Sequence, residues 1–420
     1  MISNVRREAF VWIWLPGETD PTVAGRLITR KGNLLFNYGK GYLDRIRDNQ
    51  PIISIYPIEL PLQAGVLPLL TGLSIPGCIR DAAPDAWGRR VIINKQLGLK
   101  GASTDTAELD ELSYLLESGS DRIGALDFQR SPTEYVPRAV NNVSMVELIE
   151  SAARVEQGVP LTPELDQALF HGSSIGGARP KALIQDQGKK YVAKFASSSD
   201  LYSVVKAEFI AMRLAELVGL HVAPVKLVRA ANKDVLLIER FDRLPQGETW
   251  SRKAMVSALT LFGFDDMLAR YASYETLAEI IRYRFVNPKQ NLHELFARLV
   301  FNILSGNTDD HARNHAAFWD GQDLTLTPAY DICPQGRTGN EASQAMRIVG
   351  NNNLSQLKTC LAAAKYFLIS EVEARAMFDQ QIQMIQQHWH MVCDEAELSK
   401  VDRLLLWNRQ FLNPYSIIID

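Results

Sequence analysis

The chain has 420 residues, 46% of them hydrophobic and 22% charged, which is enough for several fused cores rather than one small domain. Lys and Arg (45) nearly balance Asp and Glu (48), and a net charge of -3 argues against a surface built throughout to hold nucleic acid. Cys78, Cys333, Cys360 and Cys393 lie far apart with no CxxC pair, a spacing that speaks against a disulfide framework or a zinc knuckle and for reduced thiols in a cytosol.

The first twenty residues, MISNVRREAFVWIWLPGETD, hold an apolar run too short for a signal peptide. The longest uncharged run, Leu60 to Ile79, is interrupted by Pro61, Pro68, Pro76, Gly65, Gly72 and Gly77, so it makes no good membrane helix. A soluble, cytoplasmic protein is expected. FVWIWL, GRLITRKGNLLFNYG and PIISIYPIEL are rich in β-branched and aromatic residues and read as strands, with turns at PGETD and RKGN. RDAAPDAWGRRVIINKQLGL reads as a helix start with acidic residues early and Gly98 near its end. A second helix is expected from Ala107 to Ser118 and a short strand from Arg122 to Phe128.

Ser144 to Leu169 reads as two short helices broken near Gly158 and Pro160. Strands follow at ARPKALIQ and KKYVAKFA across a DQG turn. A helix then runs from about Asp200 to Leu217, with Gly219 just beyond its end. APVKLVRA and DVLLIERF make two more strands joined at ANK. From Ser251 onward the period is helical, except for Ala316 to Tyr330, where AAFW and LTLTPAY flank a DGQD turn as a hairpin. The expected fold class is α+β: a β-rich N-terminal subdomain over 1–130, a smaller β-β-α-β-β lobe over 131–245, and a helical C-terminal lobe over 246–420. The last two together have the element order of a bilobal protein kinase.

Four constellations carry chemistry. In SGNTDDHARNHAAFWDGQDLTLTPAYD, Asp309 and Asn314 have the D-x-x-x-x-N spacing of a kinase catalytic loop, and the hairpin returns a second carboxylate, Asp331. Phosphoryl transfer needs such hard oxygen donors, because Mg²⁺ must neutralise charge on the β- and γ-phosphates of ATP. The plainer alternative is a polar loop in which Asp309, Asp310 and Asn314 cap a helix. A metal pair of His311 and His315 is a third reading, although Ala312 stands where an HExxH site requires Glu. Upstream, HGSSIGGARPKALI offers Gly172, Gly176 and Gly177 for close approach to phosphate, with the hydroxyls of Ser173 and Ser174 and the backbone of Ile175. It lacks the GxxxxGK[ST] order of a P-loop and leads into a strand, so it suits a kinase-type flap. Lys194, in YVAKF, sits on the strand that follows, where a kinase anchors ATP, and Glu208 on the next helix could pair with it. Glu239, Arg240 and Phe241 end a buried strand in DVLLIERFDR and occupy the position of a hinge that would meet adenine.

GSSIGGARPKALI, ERFDR, GNTDDHARN and PAYDICP, in this order, resemble the HipA kinases of bacterial toxin–antitoxin systems, and PIISIYPIELP and RDAAPDAWGRR are similar to that family's N-terminal subdomain. The resemblance spans nearly the whole chain. It implies a serine/threonine kinase in which Asp309 is the catalytic base, Asn314 and Asp331 bind Mg²⁺, and Lys194 contacts ATP phosphates with Lys181 as a helper. It also implies autophosphorylation at Ser174, with Ser173 as the neighbouring candidate. Phosphate there would add roughly two negative charges where ATP phosphates should sit. The implied partners are a helix-turn-helix antitoxin (HipB-like), operator DNA through the antitoxin complex, a protein substrate in translation, and a second copy of the chain in that complex. The chain departs from ordinary eukaryotic kinases at Asn307-Thr308, at Asp331-Ile332-Cys333 in place of DFG, and in having no APE. Two other roles stay open on the residues: a kinase of small-molecule hydroxyls, and an idle co-repressor working with its antitoxin on DNA.

Overall fold

A computed structural model describes residues 7–97, 109–138, 145–156, 179–196, 200, 202–337 and 339–419. The Gly-rich segment from Gly172 to Gly177 and the second helix expected before it lie outside the described residues.

The N-terminal part opens with β1 (Glu8–Ile13), β2 (Thr22–Arg30) and β3 (Asn33–Tyr38), followed by α1 (Lys40–Arg47), α2 (Gly77–Arg80), α3 (Ala86–Leu97), α4 (Glu111–Glu117) and β4 (Leu126–Gln129). The four strands form one antiparallel sheet in the order β3-β2-β1-β4. Gly25 in β2 is required by packing: a Cβ there would lie 2.2 Å from the Asn37 carbonyl oxygen across the ladder.

PIISIYPIEL does not form the expected strand; its only pairing is an isolated bridge from Tyr56 to Leu60. Pro51 and Pro57 remove two backbone donors, and the remaining amides find other acceptors. The Tyr42 hydroxyl accepts from Ile53 N–H (3.4 Å), and the Tyr38 hydroxyl from Ile55 N–H (2.9 Å). Ile53, Ile55, Tyr56 and Leu60 are nonetheless buried. Apolar content put this segment in the core, but it did not give it a ladder.

The middle part runs α5 (Met145–Glu156), β5 (Lys181–Asp186), β6 (Lys189–Phe195), α6 (Val204–Leu217), β7 (Val225–Ala230) and β8 (Lys233–Glu239), close to the expected β-β-α-β-β order. Its sheet is antiparallel in the order β5-β6-β8-β7. The strand period sends alternate residues to opposite faces. One face, with Ala182, Ala193, Phe195, Val235 and Leu237, is covered by Trp87 and Val91 of α3 and by Leu148 and Ile149 of α5. The other face carries Leu236 and Ile238 into the main core with α6, and it also carries Lys181 opposite Lys194 in register.

Beyond β8 come the hairpin β9 (Arg243–Gln246) and β10 (Thr249–Arg252), then β11 (Ala254–Ser257), α7 (Ala258–Leu261), α8 (Tyr274–Arg284), α9 (Pro288–Ser305), β12 (Ala316–Trp319), β13 (Leu324–Leu326), α10 (Leu357–Ala363), α11 (Glu371–Glu395) and α12 (Lys400–Leu406). The expected hairpin is β12–β13, but β11 joins it to make a three-stranded sheet. The described residues between Asp331 and Gln356 form no helix, against the helical expectation for this region. No helix among the described residues is long and apolar enough to cross a membrane.

Candidate active site

The site forms where the second sheet faces the C-terminal segments. Lys194 stands near the end of β6 and its side chain is almost wholly buried. Its ammonium donates to Glu208 Oε1 on α6 at 2.6 Å and also to Asp331 Oδ1. Glu208 faces inward because α6 presents it among its buried residues. Burial opposes the charge on Lys194, but Asp331 and Glu208 outweigh it and hold the ammonium above its usual range. Burial likewise opposes ionisation of Asp331; Lys194 and then Lys181 overcome it and pull its carboxyl down to about 2. Asp331 also has φ 60, a left-handed conformation that Asp tolerates better than bulkier residues.

The loop of Asp309 hangs from the C-terminus of α9. Gly306 caps that helix at φ 71, and a Cβ there would lie 2.6 Å from the Gln410 carbonyl oxygen. Only glycine satisfies both constraints. Asn307 Nδ2 then donates to Asn302 Oδ1 (3.0 Å), Ala345 N–H to the Thr308 carbonyl (3.0 Å) and Gln335 N–H to the Gly306 carbonyl (3.0 Å). Asp309 is exposed at the turn, whereas its neighbour Asp310 is buried. Asn314 is buried, and its Nδ2 donates to the Asp309 carbonyl at 3.3 Å, leaving Oδ1 as its remaining acceptor. The Tyr330 hydroxyl donates to the Arg313 carbonyl (2.8 Å), tying the residue before Asp331 to the residue before Asn314.

Asp310, which entered the sequence reading only as a capping residue, braces this loop. The Tyr274 hydroxyl on α8 donates to Asp310 Oδ2, and His315 Nε2 lies 3.0 Å from the same oxygen. His315 is therefore tied to a buried carboxylate within a turn rather than presented with His311 on a helix. Tyr274→Phe removes the hydroxyl and leaves the ring in place. It is expected to cost about 1–3 kcal/mol, because a buried carboxylate loses a donor. Urea unfolding tests this, and an unchanged midpoint would remove the brace.

The strand end expected as a hinge is committed differently from residue to residue. Glu239 pairs with Lys189 at 2.7 Å, and its N–H donates to the Pro224 carbonyl (2.9 Å). Arg240 N–H donates to the Lys190 carbonyl (2.8 Å), and its guanidinium is taken up by Asp121 and Asp242. Phe241 packs its ring against Phe318 and Tyr330, with centroids 5.8 and 5.7 Å away, so it joins the hinge segment to the segment carrying Asp331. Lys181 lies across from Lys194, with Asp85 Oδ2 at 3.8 Å. Asp85 comes from the N-terminal part, outside the four constellations of the sequence.

Among the described residues no group of three or more His, Cys, Asp and Glu side chains is arranged to hold a metal by itself. Asn314 and Asp331 instead provide one amide oxygen and one ionised carboxylate. Such hard donors fit Mg²⁺ when phosphate oxygens and water complete its shell. Lys194 and Lys181, on one face of neighbouring strands, add positive charge beside Asp331. Buried cations beside an ionised carboxylate, facing a loop with a second, exposed carboxylate, can bind a polyphosphate–metal complex and accept a proton from an attacking hydroxyl.

The chain matches two family profiles, the HipA N-terminal domain over residues 14–129 and the HipA-like C-terminal domain over residues 173–389. It is 26% identical over 183 residues to the serine/threonine-protein kinase toxin HipA of Shewanella oneidensis, covering 38% of this chain and 42% of that protein. A putative kinase of Sinorhizobium fredii, Y4mE, is 26% identical over 333 residues, 72% of each chain. The sequence match to the Shewanella toxin thus spans less than half of that protein's length. Among solved structures, HipA from the Shewanella oneidensis MR-1 complex of HipA, HipB and operator DNA is similar at TM-score 0.69 and 19% identity, over 97% of this chain and 99% of that one. That likeness shows the fold, an α+β, kinase-like architecture.

Proposed function

The chain belongs to the HipA family, and from that premise we propose that it is an ATP-dependent serine/threonine protein kinase acting as a growth-inhibiting toxin of a HipA/HipB-like module. The observation that carries this reading is the grip of Glu208 and Asp331 on Lys194. A structural lysine needs one partner. One held between a helix carboxylate and a carboxylate in left-handed backbone, beside the Asp309 loop, is arranged to receive phosphates.

In this reading Asp309 accepts the proton of the attacking hydroxyl, while Asn314 fixes the loop through the Asp309 carbonyl. Asn314 Oδ1 and the Asp331 carboxylate would hold Mg²⁺, which would supply positive charge to neutralise the phosphates. Lys194 and Lys181 orient the phosphates, and phosphate binding is also assigned to Gly172, Ser173, Ser174, Ile175, Gly176 and Gly177 of the Gly-rich sequence. Phe241 and the backbone at Glu239 and Arg240 border the adenine. With both N–H groups and the Arg240 guanidinium already bonded, any polar contact from Arg240 comes through its carbonyl. The assigned domains are 1–130, 131–245 and 246–420. The assigned partners are a HipB-like helix-turn-helix antitoxin, operator DNA through it, a second copy of the chain in that complex, and a cytoplasmic protein substrate in translation.

Incubating the purified chain with Mg²⁺-ATP and mapping phosphate by mass spectrometry tests the reading. One added phosphate on Ser174, lost in Ser174→Ala, is the expected result. A chain that binds ATP yet phosphorylates neither itself nor any protein acceptor would overturn it.

A further inference from the structure

The N-terminal part has no role in the chemistry so far, yet one of its carboxylates reaches the phosphate-facing lysines. Asp85 immediately precedes α3 and acts as its N-terminal cap. Its Oδ1 accepts from Trp87 N–H and Gly88 N–H, both at 3.1 Å, and its carbonyl accepts the first helical bond, from Arg89 N–H (2.8 Å). That cap fixes where the other oxygen points. Oδ2 is buried, makes no hydrogen bond among the described residues, and lies 3.8 Å from Lys181 Nζ, a charge contact longer than a hydrogen bond. Trp87 and Val91 of the same helix pack on the opposite face of the sheet that carries Lys181 and Lys194. The helix therefore grips the sheet on one face while its cap reaches a lysine on the other.

We propose that Asp85 is a positioning residue of the nucleotide site, supplied by the N-terminal domain, which holds Lys181 beside Lys194 in the orientation that meets the phosphates. Two lysines directly opposite on adjacent strands repel one another, and Lys181 is additionally deprived of water. Glu208 and Asp331 are bonded to Lys194. Asp85 places an acidic group beside Lys181, ahead of the weaker influence of Asp331 and Glu208 on that lysine, and it helps to balance the second cation at the edge strand. Burial lowers the Lys181 ammonium and Asp85 is the largest influence opposing this. The nucleotide site is then complete only while α3 stays seated, so whatever displaces the N-terminal domain from the sheet also weakens nucleotide binding.

The inference rests on the kinase reading, and the test separates the two. Asp85→Asn retains the capping oxygen, since Asn caps as well as Asp, and removes only the charge. We expect nucleotide affinity, measured with a fluorescent ATP analogue and Mg²⁺, to fall about tenfold. KM for ATP should rise by a similar factor with kcat nearly unchanged, and the melting temperature should hold. Lys181→Met should weaken binding too, and adding Asp85→Asn to it should change nothing further, because both act through one contact. Wild-type affinity in Asp85→Asn, or additive losses in the double variant, overturns this role alone. A wild-type chain that binds no Mg²⁺-ATP overturns both readings.

Discussion

Replacing Asp309 by Asn is expected to lower the rate of phosphate transfer by about 10²- to 10⁴-fold, the usual worth of a positioned general base. The loop should survive the change. Asp309 is exposed, and what the loop takes from this residue is its backbone carbonyl, held by Asn314 Nδ2 at 3.3 Å. Asn has the same shape and cannot accept a proton at neutral pH. Lys194, Glu208 and Asp331 are untouched, so the nucleotide should bind as before and the loss should fall on kcat rather than on KM for ATP. Initial rates of transfer from γ-labelled ATP, read beside nucleotide affinity and melting temperature, check each part. A variant that transfers phosphate as fast as wild type would remove Asp309 from the chemistry.

What the sequence disclosed and what it withheld divide along a physical line. Local patterns were readable: the alternation in KALIQD and KKYVAKF and the turn residues between AAFW and LTLTP became the strands and hairpin expected of them. Pairings across long sequence separations were not. PIISIYPIEL has strand composition, but its amides are claimed by the Tyr38 and Tyr42 hydroxyls, which no local period announces. β11 joins the hairpin through pairing with β12, and AMVS is too short to declare itself. The site shows the same split. Lys194 and Glu208 stand on consecutive elements and were legible as a pair. Asp85 reads locally as an ordinary helix cap, and only the fold reveals that its second oxygen faces Lys181. Arg240 shows the same limit: ERFDR places it at a strand end, and only the fold reveals that its guanidinium closes a buried charge network with Asp121 and Asp242.

That network gives the second large effect: Asp242→Ala is expected to destabilise the chain by about 3–5 kcal/mol, the cost of leaving buried charges without their partner. Asp242 Oδ1 accepts from Arg240 Nε (2.9 Å), and Oδ2 accepts from Arg240 Nη2 (2.7 Å), Arg243 Nη1 (3.0 Å) and Gly124 N–H (2.8 Å). Both guanidiniums are buried, and without Asp242 they share Asp121, which Lys190 already engages at 2.7 Å. Because Asp121 and Gly124 belong to the N-terminal part and Arg240 to Arg243 to the strand end, the damage should appear at the join between them. The pH dependence has a definite sign. Burial opposes ionisation of Asp242, but Arg240 and Arg243 overcome it and hold the carboxyl below its ordinary value. A depressed folded-state value means stability present above about pH 4, where the unfolded carboxyl ionises, and lost as the pH falls further. The wild type should therefore lose stability on acidification, and Asp242→Ala should start lower at neutral pH and lose less. Urea midpoints at neutral and acid pH, followed by limited proteolysis near Gly124, measure this. Equal midpoints for the two proteins at neutral pH would mean that the arginines find other partners and that the join does not depend on Asp242.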